Sequence, residues 1–147
     1  MNQKLFLGLA AIVLLLDQAT KYIVKSSMAI GQSIKLGIFD ITYSTNTGVA
    51  FGLMKDSATL SVFLAFIVIG AIMYWYDEID DKTAIPVALI LGGTIGNLVD
   101  RVLHSRVIDF IDFRIWPIFN IADACLTIGV LLLVYREFTS SRKTRAS

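Results

Sequence analysis

The run Thr83-Ala84-Ile85-Pro86-Val87-Ala88-Leu89-Ile90-Leu91-Gly92-Gly93-Thr94-Ile95-Gly96-Asn97-Leu98-Val99-Asp100-Arg101 carries no charge from Thr83 to Val99 and then meets two charges in succession. An uncharged apolar run of this kind approaches the roughly 20 residues that cross ~30 Å of hydrocarbon. Pro86 falls in the first turn, where a missing N–H costs little. Gly92 and Gly96 form a G-x-x-x-G pair with Gly93 beside it, which lets a neighbouring helix come close. At the far end Asn97, Asp100 and Arg101 stand at i, i+3 and i+4 and share one helical face. The run reads as a spanning helix with a packing face and a polar end.

Three other stretches read the same way, giving expected spans over 5–24, 58–76, 83–103 and 118–136. The second closes on Tyr74-Trp75-Tyr76, an interfacial aromatic belt, and the fourth is interrupted by Asn120 and Asp123. The whole chain agrees: 56% of its 147 residues are hydrophobic, 17% are charged and the mean hydropathy is +0.71. That is too apolar for a soluble domain of this size. The expected fold class is an all-α membrane protein, a single domain over 1–147, with four transmembrane helices, a small β-sheet cradle and a short loop on the outer face.

Lys4 followed by the apolar Leu5–Leu16 imitates a secretory signal, and Ser27-Met28-Ala29 resembles a small-x-small cleavage site. Asp17 and Lys21, four apart and able to pair on one face, favour a retained span with polar work at its end. An even number of spans puts both termini on one side, and Arg136, Arg142, Lys143 and Arg145 place that side in the cytoplasm. Residues 25–57 and 104–117 then face outward. Ile34, Leu36 and Ile38 alternate, and Phe39, Ile41 and Tyr43 alternate with the opposite parity, which fits two short strands meeting near Gly37. Asn46-Thr47-Gly48 reads as a turn, followed by the apolar Val49-Ala50-Phe51-Gly52-Leu53.

A net charge of +1 without a basic stripe gives no reason to expect nucleic acid. Cys125, the one cysteine, permits no disulfide within the chain and reads as a small buried hydrophobe. His104, the one histidine, reads as a helix-end residue, and no H-E-x-x-H, G-x-S-x-G or phosphate loop is present. No metal or cofactor is expected.

What remains is carboxylates. Ionisable groups are costly at membrane depth and are kept there for a purpose. Asp123 shares a face with Asn120 and lies where a helix N-terminus stabilises an acid, although a plain N-terminal acid looks alike. Asp109 sits among Val107, Ile108, Phe110 and Ile111, so it is desolvated or paired, while Asp112 reads as a solvated loop acid. Asp100 and Arg101 have a plain reading as a mutually neutral pair, and Arg101 a sharper one as a holder of peptide carbonyls. Two close carboxylates share a proton. One takes a proton from water and the other supports the oxyanion and the leaving amine. A proton relay or transporter through Asp17, Lys21, Asp100 and Asp123 is the rival reading, and a non-catalytic assembly factor a third. The acids gather toward one edge, which favours an enzyme.

Five motifs in order, on a four-span chain, resemble the bacterial lipoprotein signal peptidases (signal peptidase II). They are Asp17-Gln18-Ala19-Thr20-Lys21, Asn46-Thr47-Gly48-Val49-Ala50-Phe51-Gly52, Gly92 to Arg101, Val107-Ile108-Asp109-Phe110-Ile111 and Phe119-Asn120-Ile121-Ala122-Asp123. The resemblance implies an intramembrane aspartyl endopeptidase that cuts prolipoproteins just before a diacylglyceryl-modified cysteine. It implies a dyad of Asp109 and Asp123, with Asn46, Gly48, Asn97, Arg101 and Asn120 holding the substrate backbone. Asp17, Lys21, Asp100 and Ala122 would support the site. It also implies the bacterial inner membrane, an active site toward the outer face, contact with membrane lipid, and inhibition by globomycin; nothing in the sequence requires more than a monomer. The stretch from Asp109 to Asp123 is shorter than in the family, so the loop there is tight. An apolar slot beside the dyad is expected, with Gly92, Gly93, Gly96 and Ala122 leaving room for it.

Overall fold

The computed structural model describes residues 3–47 and 57–145. Four helices dominate it: α1 (Gln3–Ser27), α2 (Ser57–Tyr74), α3 (Ala84–His104) and α4 (Ile121–Arg145). A three-stranded antiparallel sheet, β1 (Ser33–Lys35), β2 (Asp40–Asn46) and β3 (Val107–Asp112), lies in that order. Helix α3 packs against each of the other three. Among the described residues two helices are long and apolar enough to cross a membrane, Lys4–Ser27 and Ala84–His104, and Thr59–Tyr74 is apolar but shorter.

The packing is inverted relative to a water-soluble domain. Leu15, Leu16, Phe63, Phe66 and Leu131 are exposed, whereas Asp17, Lys21, Asn97, Asp100 and Asn120 are buried. Such a surface suits hydrocarbon as solvent, with polar groups satisfied inside. One apolar cluster, around Phe6, Ala10, Ala84, Ala88 and Leu91, joins α1 to the first half of α3. A second, Val24, Tyr43, Ile108 and Phe110, joins the end of α1 to the sheet.

Gly92, Gly93 and Gly96 are contact points between helices rather than room for a substrate. A Cβ on Gly92 would lie 2.6 Å from the Ala10 carbonyl oxygen, and one on Gly93 would lie 2.5 Å from that of Ala122. Ala122 itself is fully buried. The expected close approach is present, and it leaves no slot at these positions.

The hairpin between β1 and β2 turns through Gly37, whose φ of 96° favours glycine. Asn46 ends β2, paired with Val107, so the expected turn there starts later than Asn46. Gly48 and the run Val49–Gly52 lie outside the described residues. The sequence reading missed β3 by treating 104–117 as an outer loop. Helix α3 stops at Ser105 in the left-handed conformation (φ 55°), and the chain enters β3 two residues later. Val107, Ile108, Phe110 and Ile111 suit a strand, but Val107 to Phe110 are all buried, so no apolar–polar alternation marks it. Beyond Asp112 the loop closes on itself as Ile111 and Phe119 exchange backbone hydrogen bonds of 2.8 and 3.1 Å. Residues 118–120 therefore belong to this bridge, and α4 starts later than the expected 118 and runs past 136.

Candidate active site

The bridge at Ile111 and Phe119 sets the end of β3 beside the start of α4, which brings Asp109 and Asp123 to one place. Asn120 Nδ2 donates to Asp109 Oδ1 at 2.7 Å and Asn97 Nδ2 donates to Asp123 Oδ1 at 2.7 Å. The two amides are themselves joined, Asn120 Nδ2 to Asn97 Oδ1 at 3.2 Å. Each carboxylate is thus held by one asparagine, and the asparagines hold each other. Asn46, at the exposed end of β2, adds a side-chain hydrogen bond to Asp109.

Asp109 is buried, 3% exposed. Burial pushes its carboxyl up to about 6, and the nearby Asp123 charge pushes the same way, against the pull of Asn120, Asn46 and Lys21. Asp123 is half-buried and lines a cavity of about 270 Å³ with Trp116, Phe119, Ala124, Thr127 and Ile128. This apolar slot, walled by α4 and the loop before it, lies beside Asp123.

Asp123 also has a structural duty. Asn120 is the N-cap of α4: its Oδ1 accepts from the Asp123 N–H at 2.9 Å, and Asp123 Oδ2 accepts from the Asn120 N–H at 3.4 Å. This reciprocal pair is a capping box, so the helix-end explanation of Asp123 holds for one oxygen. The other oxygen faces Asn97.

Beneath the acids lies a buried ion triad. Lys21 Nζ is 2.7 Å from Asp17 Oδ2 and 3.0 Å from Asp100 Oδ2, and it donates to Asn97 Oδ1 at 3.0 Å. The expected Asp17–Lys21 pair is present, and Asp100 pairs with Lys21 across helices instead of with its neighbour Arg101. Asp17 Oδ1 accepts from the Ala122 N–H at 3.0 Å, so α1 caps the first turn of α4. Asp100 Oδ2 accepts from the Ile108 N–H at 3.1 Å, fixing the start of β3. Asp100 is therefore occupied with Lys21 and β3. Gln18 was passed over as a site residue, yet its Nε2 reaches Asp17 Oδ2, the Gly96 carbonyl and Asp100 Oδ1 within 3.1–3.2 Å. Its place next to Asp17 was the only signal in the sequence.

Arg101 joins this network through Nη1, which donates to the Asn97 carbonyl oxygen at 3.5 Å. Its Nε is buried without a hydrogen-bond partner among the described residues, and its charge is felt by Asp123, Asp109 and Asp100. A buried donor of this kind is costly unless an acceptor arrives. Asp112 accepts from Thr42 Oγ1 at 2.9 Å and from the Arg114 N–H at 2.7 Å, so it serves the sheet edge and turn. His104 is the last residue of α3, as expected, and Cys125 is half-buried. Among the described residues no three of His, Cys, Asp and Glu gather as metal ligands.

Comparison with known proteins places these features. The family model described as signal peptidase (SPase) II matches residues 9–139. The chain is 40% identical over 139 residues to a lipoprotein signal peptidase of Pelotomaculum thermopropionicum, covering 91% of each chain. It is 44% identical over 144 residues to one of Syntrophus aciditrophicus, covering 88% of this chain and 89% of that one. A bacterial membrane enzyme solved by the in meso method at 2.3 Å resolution superposes with a TM-score of 0.88 at 33% identity, covering 96% of this chain and 92% of that chain. A second such enzyme, at 1.9 Å resolution, gives a TM-score of 0.84 at 35% identity.

Proposed function

The chain belongs to the signal peptidase II family, and from that premise we propose that it removes signal peptides from diacylglyceryl-modified prolipoproteins, cutting just before the lipidated cysteine as an aspartyl endopeptidase. The observation that carries this reading is the pair Asp109 and Asp123, each held by one of two linked asparagines, beside an apolar slot.

Asp109 is the more buried acid and keeps the shared proton, while Asp123 faces the slot and acts as the base. Asp123 takes a proton from water, and the water oxygen bonds to the scissile carbonyl carbon. Asp109 gives its proton to the developing oxyanion. The proton on Asp123 then passes to the leaving amine as the C–N bond breaks, and Asp109 recovers its own as the new carboxyl forms. Arg101 supplies its unpartnered Nε, and Asn46 an amide at the strand end, to carbonyls of the substrate. Gly48 belongs to the same proposal by the family motif alone.

Four spans, both termini in the cytoplasm and the acids toward the outer face of the bacterial inner membrane complete the reading. Exposed leucines and phenylalanines on α1, α2 and α4 support it. The diacylglyceryl chains stay in the bilayer while the peptide lies along the slot, and globomycin occupies the same groove. The enzyme works as a monomer.

The test is incubation of the purified protein with a diacylglyceryl-modified precursor peptide, with the products weighed by mass spectrometry. One cut before the lipidated cysteine, blocked by globomycin and absent from the unlipidated peptide, is expected. Cleavage at another bond, or equal cleavage without the lipid, contradicts the proposal.

A further inference from the structure

On the far face of the sheet from Asp109 lies a second hollow, of about 140 Å³, walled by Tyr43, Thr45 and Ile108 and rimmed by Lys25, His104 and Arg106. Thr45 and Ile108 pair across β2 and β3, as do Ser44 and Asp109, so strand alternation puts this hollow opposite the acids. Lys25 and His104 come from the last turns of α1 and α3, and Lys25 Nζ lies 3.1 Å from His104 Nε2.

A basic side chain near a helix C-terminus is ordinarily explained by the helix dipole. That accounts for Lys25 and His104 one at a time. It does not account for a third basic group, Arg106, on the same rim. Among the described residues no carboxylate lines the hollow and Arg106 has no ion-pair partner. Charges of one sign gathered on the rim of a small, mainly apolar hollow call for an anion. Among the described residues Lys4–Ser27 and Ala84–His104 are the two helices long and apolar enough to span a bilayer, so their ends mark the depth of lipid headgroups.

We infer that Lys25, His104 and Arg106 form a binding site for a phosphate group, separate from the peptidase site. The ammonium and guanidinium meet the phosphate oxygens, and Thr45 and Tyr43 line the same hollow. The site takes either a phospholipid headgroup or a free phosphate ion, which share this chemistry. The prolipoprotein proposed as substrate carries a diacylglyceryl group without phosphate, so the two sites do not compete.

His104 is the only histidine, so its ring resonances report the hollow without ambiguity. The intact protein in dodecyl maltoside micelles, which contain no phosphate, is titrated with short-chain phosphatidylglycerol in one arm and inorganic phosphate in the other, and the His104 ring signals are followed by NMR. Saturable shifts are expected, with half-saturation raised about tenfold in Arg106→Gln and again in Lys25→Gln, the loss of one charge-assisted contact. Cleavage of the lipidated precursor in detergent is expected to be unchanged in Arg106→Gln. A response to phosphatidylglycerol alone assigns the site to a headgroup, and a response to both assigns it to the phosphate group itself. No saturable shift in either arm, or shifts identical in both variants and the wild type, overturns the inference.

Discussion

From Ala84 to Leu91, α3 is held by apolar neighbours such as Phe6 and Ala10, with no charge nearby in its core. From Asn97 to Arg101 the same helix is held by Lys21, Gln18, Asp123 and the backbone of β3 through hydrogen bonds and an ion pair. The first half can lose a side chain and suffer only a cavity. In the second half each group satisfies several others, so removing one strands its partners in a medium that cannot solvate them. That half sits where the acids are, and it trades stability for their placement. Substitutions in the two halves should therefore differ in kind as well as in size.

The largest effect on stability is expected from Lys21→Met. It leaves Asp17 and Asp100 buried without their cation, a loss on the order of 3–5 kcal/mol. Chemical unfolding in detergent measures it, and turnover should fall as well, because Asn97 loses its Lys21 contact. A variant as stable as wild type would show that the triad is not the support of the site.

Asp109→Asn should move stability in the opposite direction. The Asp109 carboxyl is raised from 3.8 to about 6 in the fold. Below pH ~4 the group is neutral folded and unfolded, and burying it carries no charge penalty. As pH rises through about 6 the folded protein must ionise a buried group, and stability is lost. The neutral asparagine escapes that loss, so the variant should match wild type near pH 4 and exceed it at pH 7 by up to about 3 kcal/mol. Parallel unfolding curves at the two pH values check this, and a variant less stable at pH 7 would mean that Asp109 is ionised and well compensated. The smallest effect is expected in the apolar half. Leu91→Ala should cost about 2 kcal/mol through its cavity and leave kcat of the remaining folded enzyme unchanged.

The same contrast explains what could be read from sequence. Residues 83–101 announced a helix, its packing glycines and its polar end, because each signal was local. The Asp17–Lys21 pair was legible for the same reason. Strand β3 was not, because burial on both faces erased its alternation and its partner β2 lies far away in the chain. Asp109 was still found, since an acid among Val107, Ile108 and Phe110 is anomalous in any conformation. The roles of Asn97 and Asn120 as links between the acids could not be foreseen, nor could Asp100 turning to Lys21. Those facts depend on how α1, α3 and α4 face each other. The glycines showed that something comes close, but not that it is Ala10, Asp17 and Ala122 and not a substrate.

The most direct measurement is kcat for cleavage of a lipidated precursor by wild type, Asp109→Asn, Asp123→Asn and Asp100→Asn, each at matched folded fraction. Loss of a positioned acid or base removes on the order of 10²–10⁴ in rate. Asp109→Asn and Asp123→Asn should each fall by at least that, while Asp100→Asn should lose stability first and keep measurable turnover when folded. Full activity in Asp109→Asn, together with a dead but stably folded Asp100→Asn, would contradict a dyad of residues 109 and 123.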